Sequence, residues 1–434
     1  MKRILQFFKK QPPARLLSLG FAAVILAGTA LLLLPVSRGA GVDVALIDAL
    51  FTSTSAVCVT GLIAVDTADT FSVFGRTVVA LLIQVGGLGV TSVGVGFILL
   101  AHRRVSLKER LLVREAMATS TMRGAVKLVK NVLLLTLCFE AAGAALSFLV
   151  FVQDYSPLDA LGISLFHSIA AFNNSGFDIL GGLRNLIPYQ QDVLLNLTTC
   201  GLIFFGGIGF LVILDCFKKR SFRKLALHSK VVIVTSIVLI AVGTLILRLT
   251  EDITWLGALF QSVSARTAGF STYPIGSFSS AGLFTLTILM FIGASPGSTG
   301  GGIKTSTLFA LVQATKSAAT NRPCSAFRRG IPHEVVYKSF VITLLAALVV
   351  SAGTFALCLL EPEYTFLALL FEVTSAFGTV GLSTGITPEL CTGAKFILIL
   401  IMFIGRLGPV TIASLWSFRA APQVSYSEED ITIG

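Results

Sequence analysis

The sequence predicts an all-α membrane protein: four tandem repeats, each a span, a short helix and a second span, giving eight transmembrane helices arranged pseudo-fourfold around one axis. Three observations predict it. The 434-residue chain is 54% hydrophobic and only 13% charged, with a mean hydropathy of +0.88, whereas a soluble chain is about a quarter charged. Its apolar residues fall in runs of about 20, the length that crosses a bilayer. One short unit, an amphipathic stretch followed by a polar dip ending in Gly and a long apolar run, occurs four times.

The spans lie roughly at 16–35, 73–101, 125–152, 192–217, 228–250, 281–316, 336–360 and 394–418. The repeats are then 16–101, 125–217, 228–316 and 336–418, flanked by segments 1–15 and 419–434. The first run, Leu16–Leu34, follows a basic segment and ends at Pro35 without a small-residue cleavage pattern, so it reads as a retained span and not a signal peptide. With eight spans, 24 of the 33 Lys and Arg fall on one side, in segments 1–15, 102–130, 215–230 and 316–338. The positive-inside rule then makes both termini cytoplasmic, places the chain in the cell membrane and brings the dips in from outside. The net charge of +11 is thereby explained without nucleic acid. These basic loops either orient the chain or dock a cytosolic partner.

The four dips are Val59-Thr60-Gly61-Leu62, Asn174-Ser175-Gly176-Phe177, Thr267-Ala268-Gly269-Phe270 and Thr379-Val380-Gly381-Leu382. Short helices are predicted before them at Ile47–Ala56, Gly162–Phe172, Trp255–Ala265 and Phe366–Phe377. Gly at the matched place permits the positive φ that turns main-chain carbonyls inward. A short helix pointing its C-terminus at the same spot adds negative dipole there, which favours a cation. Four such segments at membrane depth predict a ring of carbonyls around an ion such as K+, in one central pore. The residues expected to form it are Val59, Thr60, Gly61, Asn174, Ser175, Gly176, Thr267, Ala268, Gly269, Thr379, Val380 and Gly381.

Each second span carries a Gly-rich signature: Gly86-Gly87-Leu88-Gly89, Gly206-Gly207-Ile208-Gly209, Gly293-Ala294-Ser295 and Gly405-Arg406-Leu407-Gly408. Small residues allow close helix approach or leave room around an axis. Only in the third unit does the signature run on into a break, Gly293 to Lys304 with Pro296 inside it. Non-helical backbone at membrane depth must line a cavity or be buried in protein. This stretch therefore predicts a gate beneath the ring, formed by Gly297, Ser298, Thr299, Gly300, Gly301, Gly302 and Lys304. Lys304 could instead snorkel to the cytoplasmic interface. Arg406, deep in the last span, predicts an electrostatic barrier bonded to the loop's carbonyls. Arg266 and Glu372 read as buried partners behind the ring, and Glu140 as a bond between helices.

The four His (102, 167, 228, 333) are scattered, and none of the seven Cys has zinc or redox spacing. With no catalytic motif either, the chain is not expected to be an enzyme. An alternating-access transporter would call for an inverted repeat and acidic residues at depth; the repeat here is parallel.

These motifs resemble the superfamily of potassium transporters that includes the TrkH, KtrB and plant HKT proteins, most closely the KtrB type. The resemblance covers nearly the whole chain. It is carried by Phe51-Thr52-Ser53 through Leu62, Phe166-His167 through Phe177, Arg266 through Phe270, Ser375 through Leu382, the loop from Gly293 to Lys304, and Met402-Phe403-Ile404-Gly405-Arg406-Leu407-Gly408-Pro409. It implies a membrane homodimer, a cytosolic KtrA-like ring of nucleotide-binding regulatory subunits, and ATP or ADP acting on that ring. It also implies potassium uptake with Na+ activating or coupled. Relatives with Ser at the first filter Gly tend to conduct sodium, so Gly61 favours potassium.

Overall fold

The computed structural model describes residues 13–100, 111 and 124–414. The rest of segment 1–15, most of the basic stretch up to 123 and the whole of 419–434 lie outside the described residues. The longer helices, those of six residues or more, fall into four groups of like order. The first is α1 (Pro13–Leu32), α2 (Leu46–Cys58), α3 (Val73–Leu88) and α4 (Val90–Leu100). The second is α5 (Ala125–Phe151), α6 (Pro157–Phe172), α7 (Val193–Ile208) and α8 (Phe210–Lys219). The third is α9 (Leu227–Thr250), α10 (Trp255–Ser264), α11 (Ser280–Phe291) and α12 (Thr305–Thr320). The fourth is α13 (His333–Leu360), α14 (Phe366–Gly378), α15 (Thr392–Leu407) and α16 (Pro409–Ser414). A hairpin of β1 (Ser325–Ala326) and β2 (Arg329–Gly330) precedes α13.

Among the described residues, α1, α5, α9 and α13 are long and apolar enough to cross a bilayer unbroken. This is an all-α, multi-pass membrane fold. The second spans differ from the sequence expectation, which put a break in the third alone. In the structure all four are interrupted. Gly89, Gly209 and Gly408, the last residue of each signature, separate two helices, and α7 and α8 meet at 96°. The physical reason is backbone conformation. At Gly209 φ is 97° and ψ is 134°, a region open essentially to Gly alone. An apolar run with one such Gly looks continuous to hydropathy.

The packing recurs from unit to unit. Gly28 on α1 lies against Ser53 of α2 and Leu82 of α3; Gly143 lies against Ser168 and Leu202, and Gly243 against Ser262 and Leu289. In each case the Ser hydroxyl donates to the carbonyl three residues before that Gly: Ile25 (2.7 Å), Glu140 (2.7 Å) and Ile240 (2.9 Å). Each bond satisfies a hydroxyl that lipid-depth burial would otherwise leave costly. In the fourth group Gly353 meets Val373 and Ile401 instead, and the lock is apolar. The first and last groups are joined by an ion pair, Lys395 on α15 to Asp48 on α2, at 2.9 Å.

Candidate functional site: a carbonyl ring above a glycine-rich loop

The short helices owe their positions to their ends. Ser156, Thr254 and Thr365 cap α6, α10 and α14 by accepting backbone N–H bonds, the usual role of Ser and Thr at this position. At the other end, each helix stops within two residues of its dip: α2 at Cys58, α6 at Phe172, α10 at Ser264 and α14 at Gly378. The negative ends of four helix dipoles thus meet the four dips. The second helix starts at Pro157, five residues before its sequence-predicted start at Gly162, because Ser156 and Pro157 supply a cap and a first turn that the apolar pattern does not register.

In three of the dips φ alternates in sign. Val59, Asn174 and Thr379 are left-handed (58°, 60° and 50°), as are Gly61, Gly176 and Gly381, with a residue of negative φ between. Alternation turns successive peptide groups the same way, so their carbonyls line one side of the chain. The third dip keeps only the positive φ of Gly269. Backbone bonds hold the centre of each dip: Thr60, Ser175, Ala268 and Val380 donate to carbonyls of the preceding helix at 2.8–2.9 Å. The Ser55 and Ser375 hydroxyls accept from the N–H of Gly61 and Gly381, both at 3.0 Å. The sequence reading gave the hydroxyls of these two serines no role, although their fixed offset from the glycine was a readable signal.

The glycines relate the dips to one another. A Cβ on Gly61 would press into the Ser175 carbonyl; on Gly176, into that of Ala268; on Gly269, into that of Val380; and on Gly381, into that of Thr60. The series of contacts returns to its starting residue. All four glycines also line one cavity of about 360 Å³. The sequence-predicted residues of the dips therefore come together at one place.

The loop between α11 and α12 packs directly beneath. Gly301 N–H donates to the Thr379 hydroxyl at 2.9 Å, and Gly300 sits against Thr267. Thr299 donates to the Gly206 carbonyl through its N–H (3.3 Å) and its hydroxyl (3.1 Å). Ser295 N–H reaches Gly207 O at 3.0 Å, and Phe210 N–H reaches Gly297 O at 3.1 Å. Lys304 does not snorkel: its ammonium donates to Gly300 O (2.7 Å) and Gly301 O (3.1 Å). Gly302 packs on Gly293 and Gly378. Ser298 stays within the loop, bonded to Ser295 O at 2.6 Å. Arg406 donates to the carbonyls of Gly86 and Gly87 on α3 and of Thr299 in the loop. It thereby joins the first group, the fourth group and the loop.

Three polar groups brace the ring from behind. Glu372 accepts from the Ser383, Thr384 and Thr387 hydroxyls and from Thr384 N–H at 2.7–3.1 Å. Gln261 donates to Ser271 at 2.9 Å. Glu140 accepts from Gln84 (3.2 Å) and Asn173 (3.0 Å), linking α5 to α3 and to the residue just before the second dip. With its amide turned so that nitrogen donates to Ala171 O and Ile203 O, Asn174 accepts from the Thr267 hydroxyl at 2.7 Å and ties the second dip to the third. Arg266 is buried and, with Asn174 and Thr267, lines a separate small cavity beside the ring. In the connection between α6 and α7, burial pushes the Asp178 carboxyl up to about 6.

Comparison with known proteins agrees with this architecture. The TrkH family, described as cation transport protein, matches residues 20–428. The Ktr system potassium uptake protein B of Bacillus subtilis is 36% identical, covering 100% of this chain and 99% of its own. The potassium/sodium uptake protein NtpJ of Enterococcus hirae is 34% identical, over 98% of both chains. The crystal structure of the potassium transporter TrkH from Vibrio parahaemolyticus shares the fold, with a TM-score of 0.75 and 20% identity over 94% of this chain and 86% of that one. A transport protein and not an enzyme, this chain belongs to the TrkH family of cation transport proteins.

Proposed function

We propose that this chain takes up potassium across the cell membrane as the ion-translocating, channel-like subunit of a Ktr-type system. The observation that carries the reading is the closed series of contacts among Gly61, Gly176, Gly269 and Gly381 around one cavity. In this reading the four groups are four repeats (16–101, 125–217, 228–316 and 336–418) set pseudo-fourfold around one pore, and each broken second span counts as one of eight crossings. Carbonyls of the four dips replace the water that a potassium ion sheds. The helix ends behind them supply negative potential without a carboxylate in the path.

The loop from Gly297 to Gly302 is the gate, held shut by bonds to Thr379 and Gly206, by the Lys304 ammonium and by Arg406. Two cationic side chains beneath the ring also raise the electrostatic cost of a cation passing while the loop is in place. The names of the relatives, potassium uptake protein B and potassium/sodium uptake protein, support potassium as cargo and sodium as activator or coupled ion. The excess of cations in alternate loops supports cytoplasmic termini. Those loops, on a membrane homodimer, would receive a cytosolic KtrA-like ring whose bound nucleotide sets the gate.

The test is growth of a potassium-uptake-deficient cell on limiting potassium, expressing the chain with and without a nucleotide-binding KtrA-like partner. Growth that needs the chain and improves with the partner is expected. Absence of potassium-dependent rescue from a chain verified in the membrane would overturn the proposal.

A further inference from the structure

Asn185 lies outside the four dips, in the connection between α6 and α7, yet it lines the same cavity as the four glycines. Its backbone is left-handed, with φ of 50°, a conformation that Asn tolerates better than most residues. Its Oδ1 accepts two backbone N–H bonds, from Leu186 at 2.9 Å and from Ser271 at 3.0 Å. Those two donors fix the amide orientation, so the nitrogen must face the other way. There Nδ2 donates to the carbonyl of Gly176 at 3.4 Å. Ser271 follows Gly269 by two residues, and its carbonyl accepts in turn from Leu186 N–H at 3.1 Å. One side chain therefore connects the carbonyl of the second glycine to the backbone just beyond the third.

Among the described residues, the matching positions of the other units make no such tie to a ring glycine. The residues at the same offset from Gly61, Gly269 and Gly381 are Thr70, Phe278 and Leu390, and none of these lines the cavity. Among the described residues, a side-chain tie from this position to a ring glycine is found in the second unit alone.

We infer that Asn185 is a positioning residue that keeps the ring from contracting, and so sets its preference for the larger alkali cation. Binding sodium as closely as potassium requires the carbonyls to move inward. The Gly176 carbonyl can do so only by leaving Asn185, which is itself anchored to the third segment. Potassium needs no such movement.

This inference rests on the filter reading proposed above. The experiment measures the ratio of potassium to sodium uptake by the full chain in vesicles. Both ions are assayed on one preparation, so the amount of folded protein cancels. The variants are Asn185→Asp, which keeps the accepting oxygen and loses the donor, Asn185→Leu, which loses both, and Gly61→Ser as a filter control. A hydrogen bond this long stands at the low end of net worth, so a fall of about twofold in the ratio is expected for both Asn185 variants. If Gly61→Ser lowers the ratio and neither Asn185 variant does, the role of Asn185 is overturned and the filter stands. If Asn185→Leu alone lowers it, the Nδ2 tie is refuted. If none of the three moves it, the filter reading itself fails.

Discussion

Gly301 and Thr379 are joined by a 2.9 Å hydrogen bond from the loop's backbone to a side chain of the fourth dip. The proposed gate is thus fastened directly to the fourth dip. Thr379→Val keeps the shape and removes the acceptor, and a bond of this kind is worth about 1 kcal/mol. Basal flux through Thr379→Val in vesicles without the partner should rise about fivefold. Deleting Gly297–Gly301 should raise it further and make it indifferent to nucleotide on the partner. Flux that stays nucleotide-controlled after the deletion would refute the gate.

Arg406 spreads its guanidinium over carbonyls of Gly86, Gly87 and Thr299. A lysine ammonium is a compact point charge and cannot reproduce that fork. Arg406→Lys should therefore loosen the loop from α3. Bonds from a charged donor are worth about 1.5–3 kcal/mol, so partner-free flux should rise about tenfold or more. Wild-type flux at equal abundance would mean that Arg406 does not hold the loop.

Gly61 has a φ of 89° and faces the Ser175 carbonyl with no room for a Cβ. A serine there carries a backbone strain of about 1–3 kcal/mol and displaces a neighbouring segment of the ring. Gly61→Ser should lower the preference for potassium over sodium. Competitive uptake of the two ions checks it; an unchanged ratio would count against Gly61 as a filter residue.

Asp178 offers a pH test. Its carboxyl is raised from 3.8 to about 6, chiefly by burial, and its oxygen accepts from Leu180 N–H at 3.0 Å. A raised carboxylate means that the folded state favours the proton. The fold therefore loses stability as pH climbs from about 3.8 to about 6, and keeps that loss above it. Asp178→Asn retains the acceptor for Leu180 and removes the charge. Its melting temperature should exceed that of the parent at pH 7.5, with the difference shrinking toward pH 4. A gain of equal size at both values would rule out ionisation of Asp178 as the cause.

The dips were legible because their geometry demands Gly at fixed places and because four copies stood in one chain. The loop was legible because Pro296 and consecutive glycines cannot continue a helix at depth. The breaks at Gly89, Gly209 and Gly408 were not, since a single Gly inside an apolar run barely changes hydropathy and the signature also suits packing. Both uses are present: Gly86, Gly206 and Gly405 sit against carbonyls of Val57, Phe172 and Phe377, while Gly89 has open space around it and serves conformation alone. Lys304 was ambiguous because snorkelling depends on distance to the interface, which the loop's fold decides. Asn185 gave no signal because a connecting segment has no period to depart from.

The ion pair between Asp48 and Lys395 spans 347 positions of the sequence. Until the fourth group is synthesised, the first dip lacks the neighbour that Gly381 provides, and the series of contacts among the four glycines cannot close. The helix that follows Gly381, α15, brings Arg406, so the proposed conduit and the proposed bolt across it become available within one stretch of synthesis. A half-made copy in the bilayer is therefore not a finished pore awaiting its lock.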